Sequence, residues 1–242
     1  MKTTNSQVMK RINFILLLSA SIWLTACLNE EDPGPRQQDA RSFAVVDFDR
    51  VEAGDALDVT IVAGTHYTIK AEGDRRNLND LEVFKSGNSL ILRFDESENR
   101  QYTTFITITM PTLAGVNFSG AVNGKVSGFD DVARLDVTLS GASLGQVDMD
   151  AAELYLNVNG ASQLRLRGEG SLIDGSISGA SVLTAFDYET VQAKLHVSGA
   201  SQGRVNVSQQ LQVVATGASE IIYRGEPELI VETSGASVVK KE

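Results

Sequence analysis

From residue 119 onward apolar and polar residues alternate with period two, and a glycine interrupts the alternation about every twenty residues. Positions two and four before the glycine are mostly apolar, as in Val137 and Leu139, Leu156 and Val158, or Leu195 and Val197. Positions four and six after it resume the pattern, as in Leu164 and Leu166 or Ile221 and Tyr223. Polar residues such as Asp136, Thr138, Asn157, Arg165, Lys194 and Arg204 stand between them. Successive side chains of a strand point to opposite faces, so each run predicts a strand with one buried face. Helical spacing is absent and β-branched residues are frequent, which agrees with strands throughout.

The interruptions are one tetrapeptide, repeated. It stands as Ser119-Gly120-Ala121-Val122, Ser140-Gly141-Ala142-Ser143, Asn159-Gly160-Ala161-Ser162, Ser178-Gly179-Ala180-Ser181, Ser198-Gly199-Ala200-Ser201, Thr216-Gly217-Ala218-Ser219 and Ser234-Gly235-Ala236-Ser237. Successive glycines are 21, 19, 19, 20, 18 and 18 residues apart. A coil of that length cannot bury its apolar face alone, but it can when stacked on its neighbours, so the period predicts an all-β, single-domain parallel β-helix with coils of about 20 residues. The glycine predicts a bend that a side chain would obstruct. The serine at the fourth position shares the parity of the buried residues, which predicts inward or corner hydroxyls bonded to one another from coil to coil. Lys240-Lys241-Glu242 bring charge to the last coil, where it discourages edge-to-edge pairing.

Residues 42–118 lack the tetrapeptide but remain strand-rich. Leu57 to Ile61 and Tyr67 to Ile69 flank a turn at Ala63-Gly64-Thr65, and Leu81 to Phe84 with Leu90 to Phe94 predict a hairpin. A further strand runs from Thr104 to Met110, and a short helical turn fits Asp74 to Asp80. This segment reads as atypical first coils and an N-terminal cap, and residues 119–242 as the repeat coils of the same solenoid.

The first 26 residues read as a secretory signal: basic Lys10 and Arg11, an apolar run over 12–23, and the small-residue site Leu24-Thr25-Ala26. The apolar run is too short to span a bilayer, which takes roughly 20 residues. Cys27, the chain's one cysteine, follows directly. Leu-Thr-Ala-Cys resembles the lipobox of bacterial lipoproteins, which implies a lipid on the Cys27 sulfur and membrane attachment through it. Residues 27–41 then read as a flexible acidic tether. Its Glu30-Glu31-Asp32 either resembles the surface-export signal of Bacteroidota lipoproteins or is a solvated linker.

Charge narrows the partners. The net charge of −10 becomes −13 once Lys2, Lys10 and Arg11 leave with the signal, which argues against nucleic acid and against electrostatic adhesion to anionic lipid. No His/Cys cluster, calcium loop or phosphate-cradling loop is legible, so neither metal nor cofactor is expected. A Ser nucleophile fails on repetition, because a triad needs one activated serine beside a base. His66 and His196 read as surface residues, and Asp130-Asp131 and Asp148 to Asp150 as solvated turns. One outward feature invites a binding reading: Arg165, Arg167, Arg204 and Arg224 recur at the same offsets from the glycines. Stacking would gather them into a partly basic strip suited to an anionic glycan or the acidic surface of an envelope protein; alternating surface charge for solubility is the blander alternative.

The Ser-Gly-Ala-Ser repeats, together with the Asp-Phe-Asp…Gly-Asp…Leu-Asp-Val-Thr-Ile pattern over residues 43–61, resemble the head GIN domain family, described as auto-transporter adhesin heads. The resemblance covers about residues 42–242 and implies a right-handed parallel β-helix exported by Bacteroidota, often as a lipoprotein. It brings no catalytic residues. The expectation is a non-enzymatic lipoprotein of the outer membrane, facing the periplasm or the cell exterior, that presents a rigid face for adhesion, binding or scaffolding. The alternative is a carbohydrate-active β-helix enzyme of the lyase or hydrolase kind.

Overall fold

A computed structural model describes residues 34–96 and 100–242. The signal, Cys27 and the acidic cluster of the tether lie outside the described residues. By its internal contacts the chain divides after Pro35, and Arg36–Glu242 is an all-β solenoid.

The chain enters as β1 (Gln38–Phe43), then turns a first corner between β2 (Arg50–Ala53) and β3 (Asp58–Ala63). After β4 (Thr68–Asp74) come one helical turn and a half, α1 (Arg75–Asp80), the hairpin β5 (Leu81–Ser86) and β6 (Ser89–Phe94), and β7 (Phe105–Met110). Regular coiling begins with β8 (Gly115–Phe118) and β9 (Asn123–Ser127), then β10 (Val132–Leu139), β11 (Leu144–Asp148) and β12 (Ala151–Val158). Three long strands, β13 (Gln163–Ile177), β14 (Val182–Val197) and β15 (Gln202–Ala215), run around a corner without a break. The last elements are β16 (Glu220–Arg224), β17 (Glu228–Thr233) and β18 (Val238–Lys241).

These strands form two stacks. The back stack runs β5, β6, β2, β8, β10, β12, the second halves of β13, β14 and β15, and β17. The front stack runs β1, β4, β7, β3, β9, β11, the first halves of β13, β14 and β15, then β16 and β18. All pairings are parallel except β1–β4, β4–β7 and β5–β6, which close one end. The coils do not follow sequence order at that end: β2/β3 is sandwiched between β6/β7 and β8/β9. Between the stacks lies a single core of Val, Leu and Ile, including Val59, Ile61, Ile108, Leu156, Leu164, Leu183 and Val213.

The glycine corners explain the stacking. Each repeat glycine, from Gly120 to Gly235, has φ between 72° and 80°, a left-handed backbone that other L-residues adopt at a cost. The amide of the following alanine donates to the carbonyl of the corner one coil earlier, as in Ala142 to Gly120, Ala161 to Gly141 and Ala180 to Gly160 at 2.7–2.8 Å. Gly and Ala of each corner are exposed, and the serine after them is buried in Ser143, Ser162, Ser181, Ser201 and Ser219. The expectation that these hydroxyls satisfy one another holds at Ser219 and Ser237, 3.3 Å apart. Otherwise they reach mainly for backbone: Ser143 Oγ donates to Ser140 O at 2.9 Å, and Ser181 Oγ to Gly160 O at 3.4 Å.

At the closed end, the buried Asp74 carboxylate caps α1 and ties it to the entering chain. It accepts hydrogen bonds from the amides of Gln37 (2.8 Å) and Arg76 (2.9 Å) and from the Arg76 guanidinium (2.7 and 2.8 Å). Those bonds, led by the one from the Arg76 side chain and opposed by burial, hold its pKa well below the usual carboxylate range. Leu78 of α1 is fully buried, and Arg41 of β1 donates to the Leu78 carbonyl at 2.6 Å.

Candidate binding faces

In-register parallel stacking turns alternate strand positions into outward rows, one residue per coil, about 4.8 Å apart. On the front stack one row reads Lys125, Gln146, Arg165, Thr184, Arg204, Ile222 and Lys240. A neighbouring row carries Ser127, Asp148, Arg167 and Asp187, and farther along Asn206 beside Arg224. The four arginines singled out from the sequence therefore share one face, but their surroundings differ.

Arg167 stands between Asp148 and Asp187, 4.0 Å from each carboxylate. Arg224 pairs with Glu242 and lies 4.1 Å over the Phe186 ring. The Glu242 hydrogen bond raises the Arg224 pKa, and the same contact lowers that of Glu242. Both arginines are thus locally neutralised. Arg165 and Arg204 are flanked in their row by Gln146, Thr184 and Ile222, and among the described residues neither makes an ion pair. These two positive charges stand two coils apart, roughly 10 Å at the usual strand spacing.

The back stack holds a charged cluster that the sequence reading passed over. Arg50 reaches across Gly115 to Asp136 at 2.6 Å; a Cβ on Gly115 would lie 2.6 Å from the Arg50 guanidinium. Arg134 also bonds Asp136 (2.9 Å) and lies 3.8 Å over the Tyr155 ring, whose hydroxyl donates to Glu153. Burial works to raise the Asp136 pKa, yet the bonds from Arg50 and Arg134 prevail and lower it. The Glu153 hydrogen bond raises that of Tyr155. These groups satisfy one another.

The corner opposite the glycines carries a third feature. Asp131, Asp150, Glu169 and Glu189 stack one per coil along a shallow groove of about 540 Å³. Their spacing of 19, 19 and 20 residues is the signal that could have found them, since it matches the glycine period. Asp150 Oδ1 accepts the Glu169 amide at 2.8 Å. Buried Tyr188 lies behind the groove, its hydroxyl donating to Ala151 O at 2.8 Å, and desolvation pushes its pKa up to about 12. Among the described residues no group of three or more His, Cys, Asp or Glu side chains could hold a metal ion. His66 contacts Thr65 at the surface, and His196 lies in an outward row beside Ser176 and Val214.

A solenoid of this kind is a display scaffold: a rigid core whose outer rows hold side chains at fixed intervals. The chain belongs to the family described as "Putative auto-transporter adhesin, head GIN domain", which matches residues 47–227. Its structure is similar to that of a putative adhesin from Bacteroides fragilis, with a TM-score of 0.77 at 20% identity over 86% of this chain and 98% of that one. A putative adhesin from Parabacteroides distasonis is similar at a TM-score of 0.71 and 17% identity, over 86% and 98% of the two chains. A protein of that organism described as a putative lipid binding protein is similar at 0.67 and 16%, over 85% and 97%. At these identities the likeness is one of fold. No curated protein matches the chain.

Proposed function

We propose that this protein is an adhesion-type lipoprotein of the bacterial outer membrane, held by a lipid on Cys27, with the front face of the solenoid binding an acidic glycan. Family membership supports the adhesion role. The observation that carries the glycan reading is the pair Arg165 and Arg204, two cations that make no ion pair among the described residues, although Arg204 also helps to lower the Glu242 pKa, on rigid strands of a strongly acidic chain. Carboxylates or sulfates along an extended polysaccharide could meet both guanidinium groups at once. No helix among the described residues is long and apolar enough to cross a membrane, so the lipid supplies the attachment in this reading.

The expected result is retention of the protein on immobilised acidic polysaccharide at low salt, with loss of most binding in Arg165→Ala/Arg204→Ala and little loss in Arg167→Ala. Exposed ion pairs are screened by salt, so binding should fall steeply above about 0.15 M ionic strength. Unchanged binding by the Arg165/Arg204 double variant would remove the glycan reading. For the anchor, Cys27→Ser should move the protein from the membrane fraction to the soluble fraction with its solenoid folded. A Cys27→Ser protein that still sediments with membranes would overturn it. Acid–base catalysis uses two carboxylates set apart by their environments, whereas the groove acids recur coil by coil, which makes an enzyme the weaker reading.

A further inference from the structure

A second period, of two coils rather than one, runs along the front face. Its outer positions form two adjacent rows, and successive coils alternate in what they place there. On β9, β13 and β15 the two positions hold an amide and a cation: Asn123 with Lys125, Gln163 with Arg165, and Gln202 with Arg204. On β11 and β14, which lie between them, they hold an aliphatic and an uncharged polar residue: Leu144 with Gln146, and Val182 with Thr184. Leu144 is 45% exposed, and Val182 is half-buried. Lys125 is exposed and, like Arg165 and Arg204, makes no ion pair among the described residues. The surface therefore repeats every two coils, about 9.6 Å at the usual strand spacing.

We infer that the front face binds a linear polysaccharide with a disaccharide repeat, in which one sugar carries a carboxylate and the next is uncharged. This polymer is a narrower form of the acidic glycan proposed above and rests on that reading; the spacing of the charges and a third cation, Lys125, are what it adds. A sugar ring in an extended chain spans about 5 Å, so a disaccharide repeats at about 10 Å, close to two coils. A chain lying along the solenoid then sets successive carboxylates over Lys125, Arg165 and Arg204. The uncharged sugars between them fall on Leu144 and Val182, where a C–H face or an N-acetyl methyl group leaves water. Gln146, Thr184 and Gln163 stand beside these positions with donors and acceptors for hydroxyl groups.

A polymer with a carboxylate on every sugar fits less well. Every second charge would meet a cation, but the charges between would face Leu144 and Val182, which displace their water and offer no partner. The strip also has a defined length. Lys125 to Arg204 is four coil steps, about 19 Å, and three carboxylates of the alternating polymer span two repeats, about 20 Å. One coil beyond each end stands a carboxylate: Asp58, which accepts the Asn123 amide at 2.6 Å, and Glu220, which pairs with Lys240 at 2.7 Å. A hexasaccharide is thus the shortest chain that meets all three free cations, and a longer one gains no fourth.

Calorimetric titration at low salt tests the spacing, with the full chain carrying Cys27→Ser and oligosaccharides of defined size. The probes are hyaluronan fragments, in which glucuronate alternates with N-acetylglucosamine, and polygalacturonate fragments, with a carboxylate on every sugar. From the hyaluronan tetrasaccharide to the hexasaccharide, affinity should rise by up to about fivefold, the reach of one exposed ion pair, and then level off. Lys125→Ala, at an exposed position, should bring the hexasaccharide down to the level of the tetrasaccharide. Exchanging two neighbours, Arg165→Thr/Thr184→Arg, keeps the net charge but breaks the two-coil spacing, and should cost the hexasaccharide a similar factor. The polygalacturonate hexasaccharide, with roughly twice the charge, should bind more weakly than that of hyaluronan. Equal or tighter binding of polygalacturonate, or a hexasaccharide step that survives Lys125→Ala or the exchange, overturns the spacing and leaves the acidic-glycan reading standing. Binding of neither probe also overturns it, and retention on immobilised acidic polysaccharide then decides whether the broader reading survives.

Discussion

Gly160→Ala should be among the most destabilising single substitutions in the repeat region, at about 3–6 kcal/mol. Three losses add. The residue has φ +77°, where an L-side chain costs roughly 1–2 kcal/mol. A Cβ there would lie 2.4 Å from the Gly141 carbonyl oxygen and 3.0 Å from its nitrogen, and overpacking of a rigid neighbour costs about 1–3 kcal/mol. Relieving the overlap pushes the two corners apart and weakens the bond from the Ala161 amide to Gly141 O, 2.7 Å long, worth about 0.5–1.5 kcal/mol. Gly87→Ala is the control. Gly87 also has positive φ, 59°, but nothing lies within 4 Å of its Cβ position, so it should lose only about 1–2 kcal/mol. Urea unfolding of the two variants, with hydrogen exchange across the coils, separates conformational cost from close approach. Equal losses would mean that the corners tolerate a methyl group between coils. Exchange matters because long repeat arrays can lose cooperativity and open on one side of the damaged coil.

That contrast also shows what could be read from the sequence. The glycine period and the two-residue alternation make the solenoid legible, because every coil obeys the same steric demand. Where a different residue meets the demand, the pattern hides. Ala53-Gly54-Asp55-Ala56-Leu57 is a corner of the same ladder: Asp55 has φ 63° and its carbonyl accepts the Ala121 amide. Leu57 and Val122 fill the places that buried serines take in later coils. Aspartate enters the left-handed region more readily than most residues, so the corner survives without its tetrapeptide. The order of the first coils is hidden for another reason. The insertion of β2/β3 between β6/β7 and β8/β9 is a long-range pairing choice, and it leaves no period behind.

The candidate site was legible in part for similar reasons. Offsets from the glycines located Arg165, Arg167, Arg204 and Arg224 on one face, since parallel register preserves offset. Which of them keep their charge unpaired depends on lateral neighbours. Asp148 and Asp187 beside Arg167 come from the adjoining coils, and Glu242 beside Arg224 from the next one. The acidic row had a period that could be seen, but Asp131 and Asp150 read singly as turn residues, and Glu169 and Glu189 lie within the long strands β13 and β14.

The other large effect lies at the closed end and depends on pH. Asp74→Ala should destabilise the protein by about 2–4 kcal/mol at neutral pH, because the hydrogen bonds to a buried carboxylate are lost while the partly exposed Arg76 can turn to water. The carboxylate is fully buried and joins the Gln37 amide, the Arg76 amide and the Arg76 guanidinium, so its loss unties β1, the helix and the last turn of β4 together. Asp74→Asn keeps the shape and one acceptor oxygen but loses the charge, which separates packing from electrostatics. The pH dependence follows from the sign of the shift. Folding lowers the Asp74 pKa, led by the hydrogen bond from Arg76, so the folded state holds the proton less tightly than the unfolded chain. The stabilisation is complete above the unfolded value of about 4 and is lost as pH falls below it toward the folded value. Wild-type stability in urea should therefore drop more steeply than that of Asp74→Asn between about pH 5 and pH 2, the two curves converging in acid. Other carboxylates titrate in the same window but are common to both proteins, so the difference between the curves isolates Asp74. Parallel curves would mean that the Asp74 charge contributes nothing to the cap.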